Sequence, residues 1–168
     1  MFSSASHIRL LCNGKIIGTK RVQECKAAFK VPYDSGTLEA ISYGPDGREI
    51  GRAALSSAQG SRSVAIIPEE ETVKPEELLY ISIQIQGENG IVESNDDRVL
   101  KISVQGGELL GFGSANPRTE ESYISGTFKT YYGYTQAVVK VGSQSAVTVT
   151  VDDGTVSYIK QIPVYQEG

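Results

Sequence analysis

Apolar and polar residues alternate with a period of two along most of this chain, the pattern of strands that bury one face and wet the other. The clearest runs lie in the second half. Ile81, Ile83 and Ile85 alternate with Ser82, Gln84 and Gln86; Leu100, Ile102 and Val104 with Lys101 and Ser103; Val147, Val149 and Val151 with Thr148 and Thr150. Ala137, Val139 and Val141 and the stretch from Tyr158 to Val164 predict two more strands, and Asp152-Asp153-Gly154 predicts a hairpin turn between the last two. No segment carries the 3.6-residue period of an amphipathic helix over a useful length. Short strands at regular spacing, separated by turn residues, point to an all-β sandwich.

The first half reads the same way through its turns. Ile8 to Cys12 and Lys15 to Lys20 flank Asn13-Gly14, the pair best suited to the two positive φ angles of a type I′ hairpin. Ala27 to Val31 is the next expected strand, stopped by Pro32. Leu38 to Tyr43 and Arg48 to Leu55 flank Gly44-Pro45-Asp46-Gly47, a second hairpin, and Ser63 to Ile67 is expected to close this module. The acidic stretch PEEETVKPEE that follows is bounded by prolines and poor in core formers, so it reads as an extended linker. The expected division is a small domain over 1–68, a linker over 69–77 and a second domain over 78–168. Between the strands of the second domain runs a long glycine- and tyrosine-rich passage, Gly106 to Tyr134.

Composition narrows the function classes. The 168 residues hold 18 glycines and 9 tyrosines but one methionine and no tryptophan, which favours strands and tight turns. A net charge of −4 with scattered lysines and arginines argues against nucleic acid, whose phosphates demand clustered cations, and against anionic membrane surfaces. No apolar run approaches the roughly 20 residues of a membrane-spanning helix. Cys12 and Cys25 are expected to be free thiols. No charged n-region followed by an apolar h-region opens the sequence, and a soluble protein is expected.

The passage GGELLGFGSANPRTEESYISGTFKTYYGY, Gly106 to Tyr134, resembles the matching segment of the immunoglobulin-like domain near the C-terminus of family-two glycoside hydrolases of the β-galactosidase type. The likeness continues elsewhere. FSSASHIRLLCNGKIIGTK and FKVPYDSGTLEAISYGPDGREIGR resemble the small domain that precedes it, and ENGIVESNDDRVLKISV resembles the entry to the terminal domain, with Ser94 to Arg98 standing where a PNADR-like string is common. The resemblance implies two consecutive immunoglobulin-like β-sandwich domains from a glycosidase, working beside a catalytic barrel and the other domains of a parent enzyme, cytoplasmic or exported with it. Phe2 to Ser6 already resemble a domain edge, so Met1 is expected to mark a boundary within a longer polypeptide. The catalytic carboxylates of such hydrolases lie on a (β/α)₈ barrel, which needs repeated strand-helix alternation and roughly 250 residues. This chain carries neither, so by itself it is expected to be inactive, with no cofactor and no catalytic residue.

Candidate chemistry is sparse. Glu120-Glu121 and Glu69 to Glu71 read as solvated charge, because sequence neighbours on an extended segment project to opposite faces. Glu88, Asn89, Glu93, Asn95, Asp96 and Asp97 supply oxygen ligands for a calcium or magnesium ion, but their spacing matches no EF-hand and also suits ordinary turns. His7 has no partner at metal-ligand spacing, no GxSxG elbow occurs, and Gly111-Phe112-Gly113 lacks the sequel of a phosphate loop. The aromatic cluster of Phe112, Tyr123, Phe128, Tyr131, Tyr132 and Tyr134, with Asn116 shaping its loop, holds the candidate site. Tyrosine can stack on a sugar face while its hydroxyl bonds, so carbohydrate contact stands beside internal packing and an interdomain or subunit interface. An independent carbohydrate-binding module and an adhesive tandem of immunoglobulin-like domains are the rival classes.

Overall fold

The computed structural model describes residues 4–165, so Met1, Phe2 and Ser3 of the expected domain edge lie outside the described residues. Among the described residues all twelve elements are strands, and the chain divides into two compact units, residues 1–59 and 60–168.

The first unit is one antiparallel sheet in the order β2-β1-β3-β4, built from β1 (His7–Cys12), β2 (Lys15–Arg21), β3 (Thr37–Tyr43) and β4 (Glu49–Ser56). Both predicted hairpins form. Asn13 and Gly14 take the positive φ values, 50° and 77°, that the I′ turn requires. The Gly47 N–H donates to the Gly44 carbonyl at 3.1 Å across the second turn. The expected strand Ala27–Val31 is extended but joins no ladder. Its apolar side chains explain this: they pack on a face of the sheet rather than adding to one of its edges. Ala27, Phe29 and Val31, with Val22, cover Ile8, Leu10, Leu38 and Ala40, and form the second layer of the unit.

The second unit is an immunoglobulin-like sandwich. One sheet runs β5-β6-β10-β8, from β5 (Arg62–Pro68), β6 (Leu78–Gly87), β10 (Tyr134–Val141) and β8 (Gly107–Gly113). The facing sheet runs β12-β11-β7-β9, from β7 (Val99–Gln105), β9 (Thr127–Lys129), β11 (Ala146–Asp152) and β12 (Ser157–Pro163). The inner faces are the alternating residues of the sequence: Ile81, Ile83 and Ile85 against Leu100, Ile102, Val147, Val149 and Val151, closed by Phe112 and Phe128. A buried aliphatic or aromatic side chain stabilises by roughly 1.5–3 kcal/mol, so this contiguous core outweighs any surface contact.

Two expectations about organisation are corrected. The strand at Ser63 to Ile67 does not close the first module; as β5 it pairs with β6, Val64 opposite Ile85, and puts Val64, Ile66 and Pro68 onto the core face. The boundary therefore falls at 59/60, and the acidic stretch 69–77 connects two strands within one unit. It is held there: the Val73 side chain is buried, its N–H donates to the Pro163 carbonyl at 3.1 Å, and its carbonyl accepts from Tyr165 at 2.7 Å. The glycine- and tyrosine-rich passage also contains structure, since β8 and β9 both lie inside it.

Candidate functional site

The outer face of the β5-β6-β10-β8 sheet carries a groove of about 500 Å³. Its floor follows from the GFG triplet of β8. Phe112 points inward and is buried in the core, so Gly111 and Gly113 face outward and leave that surface without side chains. Tyr123 fills the space above Gly113: a Cβ there would meet the tyrosine ring at 2.2 Å. The Phe112 N–H donates to the Tyr123 carbonyl at 2.7 Å, and the Tyr123 ring rests 4.9 Å from Phe128, so this wall is fixed by backbone and core together. Tyr134 forms the other wall, two residues before Gln136 on the same face of β10, with Gln136 opposite Gly113.

The polar groups of the groove are specific. Ser114 Oγ is buried and has no hydrogen-bond partner among the described residues. Along β6 the side chains form a directed chain: Gln86 Nε2 donates to Gln84 Oε1 at 2.8 Å, and Gln84 Nε2 donates to Ser82 Oγ at 2.9 Å. Ser82 is therefore an acceptor on one side, and its O–H is left to donate into the groove that it lines. No carboxylate, ammonium or guanidinium is among the lining residues.

The predicted aromatic cluster divides. Tyr123 and Tyr134 meet at the groove, each about half exposed. Phe112 and Phe128 are core residues, at 1% and 0% exposure, so their rings serve packing and offer nothing to a ligand. Tyr131 and Tyr132 form a separate edge-to-face pair, centroids 4.5 Å apart, outside the groove lining. The interaction of their hydroxyls holds the Tyr131 phenol above its usual pKa. Asn116 caps its own loop, its Oδ1 accepting the Arg118 N–H at 3.0 Å. Gly111, Gly113, Ser114, Ser82 and Gln136 are absent from the sequence-based site. Glycines two apart in a strand were the available signal, because they strip one face of side chains.

The carboxylates go elsewhere. Glu121 accepts the Lys129 N–H at 2.8 Å and the Thr119 hydroxyl at 2.9 Å, and Glu120 is exposed. Glu93 pairs with Arg62 at 2.7 Å; the Asn95 N–H, and after it Arg62, hold its carboxyl below the usual range. Glu88 accepts the Ser61 N–H at 3.1 Å. Arg98 joins Asp96 to Asp153, the latter at 2.9 Å. No three His, Cys, Asp or Glu side chains gather to hold a metal ion among the described residues. His7 is exposed, its Nδ1 2.9 Å from Ser6 Oγ.

The family model described as glycoside hydrolase family 2 C-terminal domain 5 matches residues 67–157, and a domain of unknown function (DUF4982) matches residues 1–51. The chain belongs to the C-terminal domains of glycoside hydrolase family 2. The two matches fall one on each compact unit. A glycosyl hydrolase family 2 member from Bacteroides cellulosilyticus has a similar structure, with TM-score 0.86 and 26% identity over 96% of this chain and 23% of that one. A β-glycosidase from Bacteroides vulgatus follows at TM-score 0.77 and 25% identity, over 95% of this chain and 21% of that one. A β-glucuronidase from family 2 shares the fold at TM-score 0.72 and 15% identity, covering 98% of this chain and 18% of that one. This family 2 C-terminal chain thus spans less than a quarter of the length of each. No curated protein sequence matches it.

Proposed function

We propose that this chain is a non-catalytic accessory part of a family 2 glycosidase of the β-galactosidase type, where it braces the catalytic barrel and takes part in interdomain or subunit contacts. The observation that carries the reading is the match of the whole two-unit chain to about a fifth to a quarter of much longer family 2 hydrolases. The second support is chemical. A retaining glycosidase needs two carboxyl groups about 5 to 5.5 Å apart across a sugar-sized opening, and the groove of this chain is lined by none.

The purified chain is therefore expected to leave p-nitrophenyl β-galactoside intact, and measurable turnover would overturn the non-catalytic role. In the enzyme that carries it, deleting this segment should lower the melting temperature. An unchanged melting temperature and subunit number after deletion would remove the bracing role. The β-galactosidase assignment predicts cleavage of the β-galactoside in preference to the β-glucuronide by that enzyme.

A further inference from the structure

We infer that the groove on the outer face of the β5-β6-β10-β8 sheet is a binding site for a neutral glycan. This is independent of the bracing role, because it concerns what the isolated chain holds rather than what it supports. Three observations carry it.

The first is shape. Gly111 lowers the floor, while Tyr123, in the loop between β8 and β9 with its ring over Gly113, and Tyr134, on β10, both line the groove and are each about half exposed. A flat ring with axial C–H groups can enter such a slot and meet an aromatic side chain. The volume of about 500 Å³ is within the range of small-ligand sites.

The second is unsatisfied polarity. A buried hydroxyl without a partner is destabilising, and Ser114, which lines the groove, carries one. Ser82 adds a donor whose direction is set by the Gln86–Gln84 chain behind it, and Gln136 adds an exposed amide on the floor. A hydroxyl-rich ligand answers all three, since each sugar hydroxyl both donates and accepts. An apolar occupant would leave them unpaired.

The third is charge. The lining holds no group that could neutralise a carboxylate or a phosphate, so a neutral sugar fits and a uronic acid would be desolvated without compensation.

The test is titration of the ¹⁵N-labelled full chain with four neutral tetrasaccharides (β-1,4-linked galactose, glucose, mannose and xylose) and with a galacturonic acid tetramer, to about 20 mM, which reaches past millimolar affinity. At least one neutral sugar should move the amides of Gly111, Gly113, Ser114 and Gln136, and the acidic one should not. Tyr134→Ala should weaken that binding up to about tenfold through loss of the aromatic contact. Ser114→Ala should weaken it about fivefold, yet leave thermal stability unchanged or raised, because its hydroxyl forms no internal bond. Gly111→Val should abolish binding by filling the floor. It should fold, because Gly111 is not in the left-handed region and a Cβ there meets only the Tyr123 carbonyl oxygen, at 3.8 Å. No shift with any neutral sugar overturns the inference. So does equal binding of the acidic tetramer, or undiminished binding by a folded Gly111→Val chain; a face that binds no sugar would then be an interdomain surface.

Discussion

Replacing Asp153 by Asn tests how the β11–β12 hairpin is fastened to the rest of its sheet. Asp153 has a side chain only 5% exposed. Its Oδ1 accepts the N–H groups of Thr155 at 3.0 Å and Val156 at 2.9 Å, and its Oδ2 accepts from Arg98 Nη1 at 2.9 Å. Asparagine keeps an oxygen for the two turn N–H groups but turns an NH₂ toward the guanidinium. The Arg98 hydrogen bond is lost, worth about 1.5–3 kcal/mol, while the long 3.5 Å bond from the Tyr158 hydroxyl to the same oxygen can reverse its direction and accept from the new NH₂. Arg98 retains Asp96, which limits the damage, so the expected loss is about 2 kcal/mol at pH 7. The native carboxyl is held below the ordinary carboxylate range, chiefly by the Val156 N–H, then by Thr155 and Arg98. Because the folded-state pKa is depressed, this stabilisation is present above the unfolded value of about 3.9 and is lost as pH falls through the folded one. Asn does not titrate, so the gap between the two proteins should narrow below about pH 4. Urea unfolding followed by tyrosine emission reads it, since seven of the nine tyrosines lie after Gly60 and report the second unit. A gap below about 0.5 kcal/mol at pH 7, short of the range for such a bond, or one of the same size at pH 7 and pH 3, would refute the reasoning.

Gly106→Ala should be severely destabilising in chemical denaturation, because φ is +81° and the new Cβ would lie 2.1 Å from the Ala146 carbonyl oxygen; a stability within about 1 kcal/mol of wild type would contradict that packing. Phe128→Ala should cost about 3–5 kcal/mol by opening the end of the sandwich against which Tyr123 rests, and it should also loosen Tyr123, seen as sharper ring signals in NMR. Native chains should react with one equivalent of a thiol reagent, at exposed Cys25, and with a second at buried Cys12 only after denaturation; two fast equivalents would show the first unit to be open.

Much of the fold was legible in local chemistry. Asn13-Gly14 has few conformations other than the I′ turn, and Ile81, Ile83 and Ile85 can only be buried together if they lie on one face of a strand. Ala27 to Val31 shows the limit of that logic: its apolar residues mark a segment that is buried, but whether it joins a ladder or packs on a face of the sheet, as it does here, depends on long-range packing. The candidate site was legible only in part. Tyr123 and Tyr134 could be named from the aromatic cluster, but Phe112 and Phe128 in the same cluster turned out to be core, since a residue type does not state its face.

The sequence by itself determined the period-two strands, the tight turns, the glycine- and tyrosine-rich character of the passage from Gly106 to Tyr134, and the absence of a barrel's strand-helix alternation, because each depends on residues near one another along the chain. Tertiary structure alone decided that Arg62–Pro68 belongs to the second unit, that Val73 fastens an acidic connection rather than a free linker, and that Ser82, Gly113, Ser114, Tyr123, Tyr134 and Gln136 share one groove. The physical reason is strand pairing. Register between β6, β8 and β10 sets which side chains share the outer face, and it is fixed by long-range burial that no local pattern encodes.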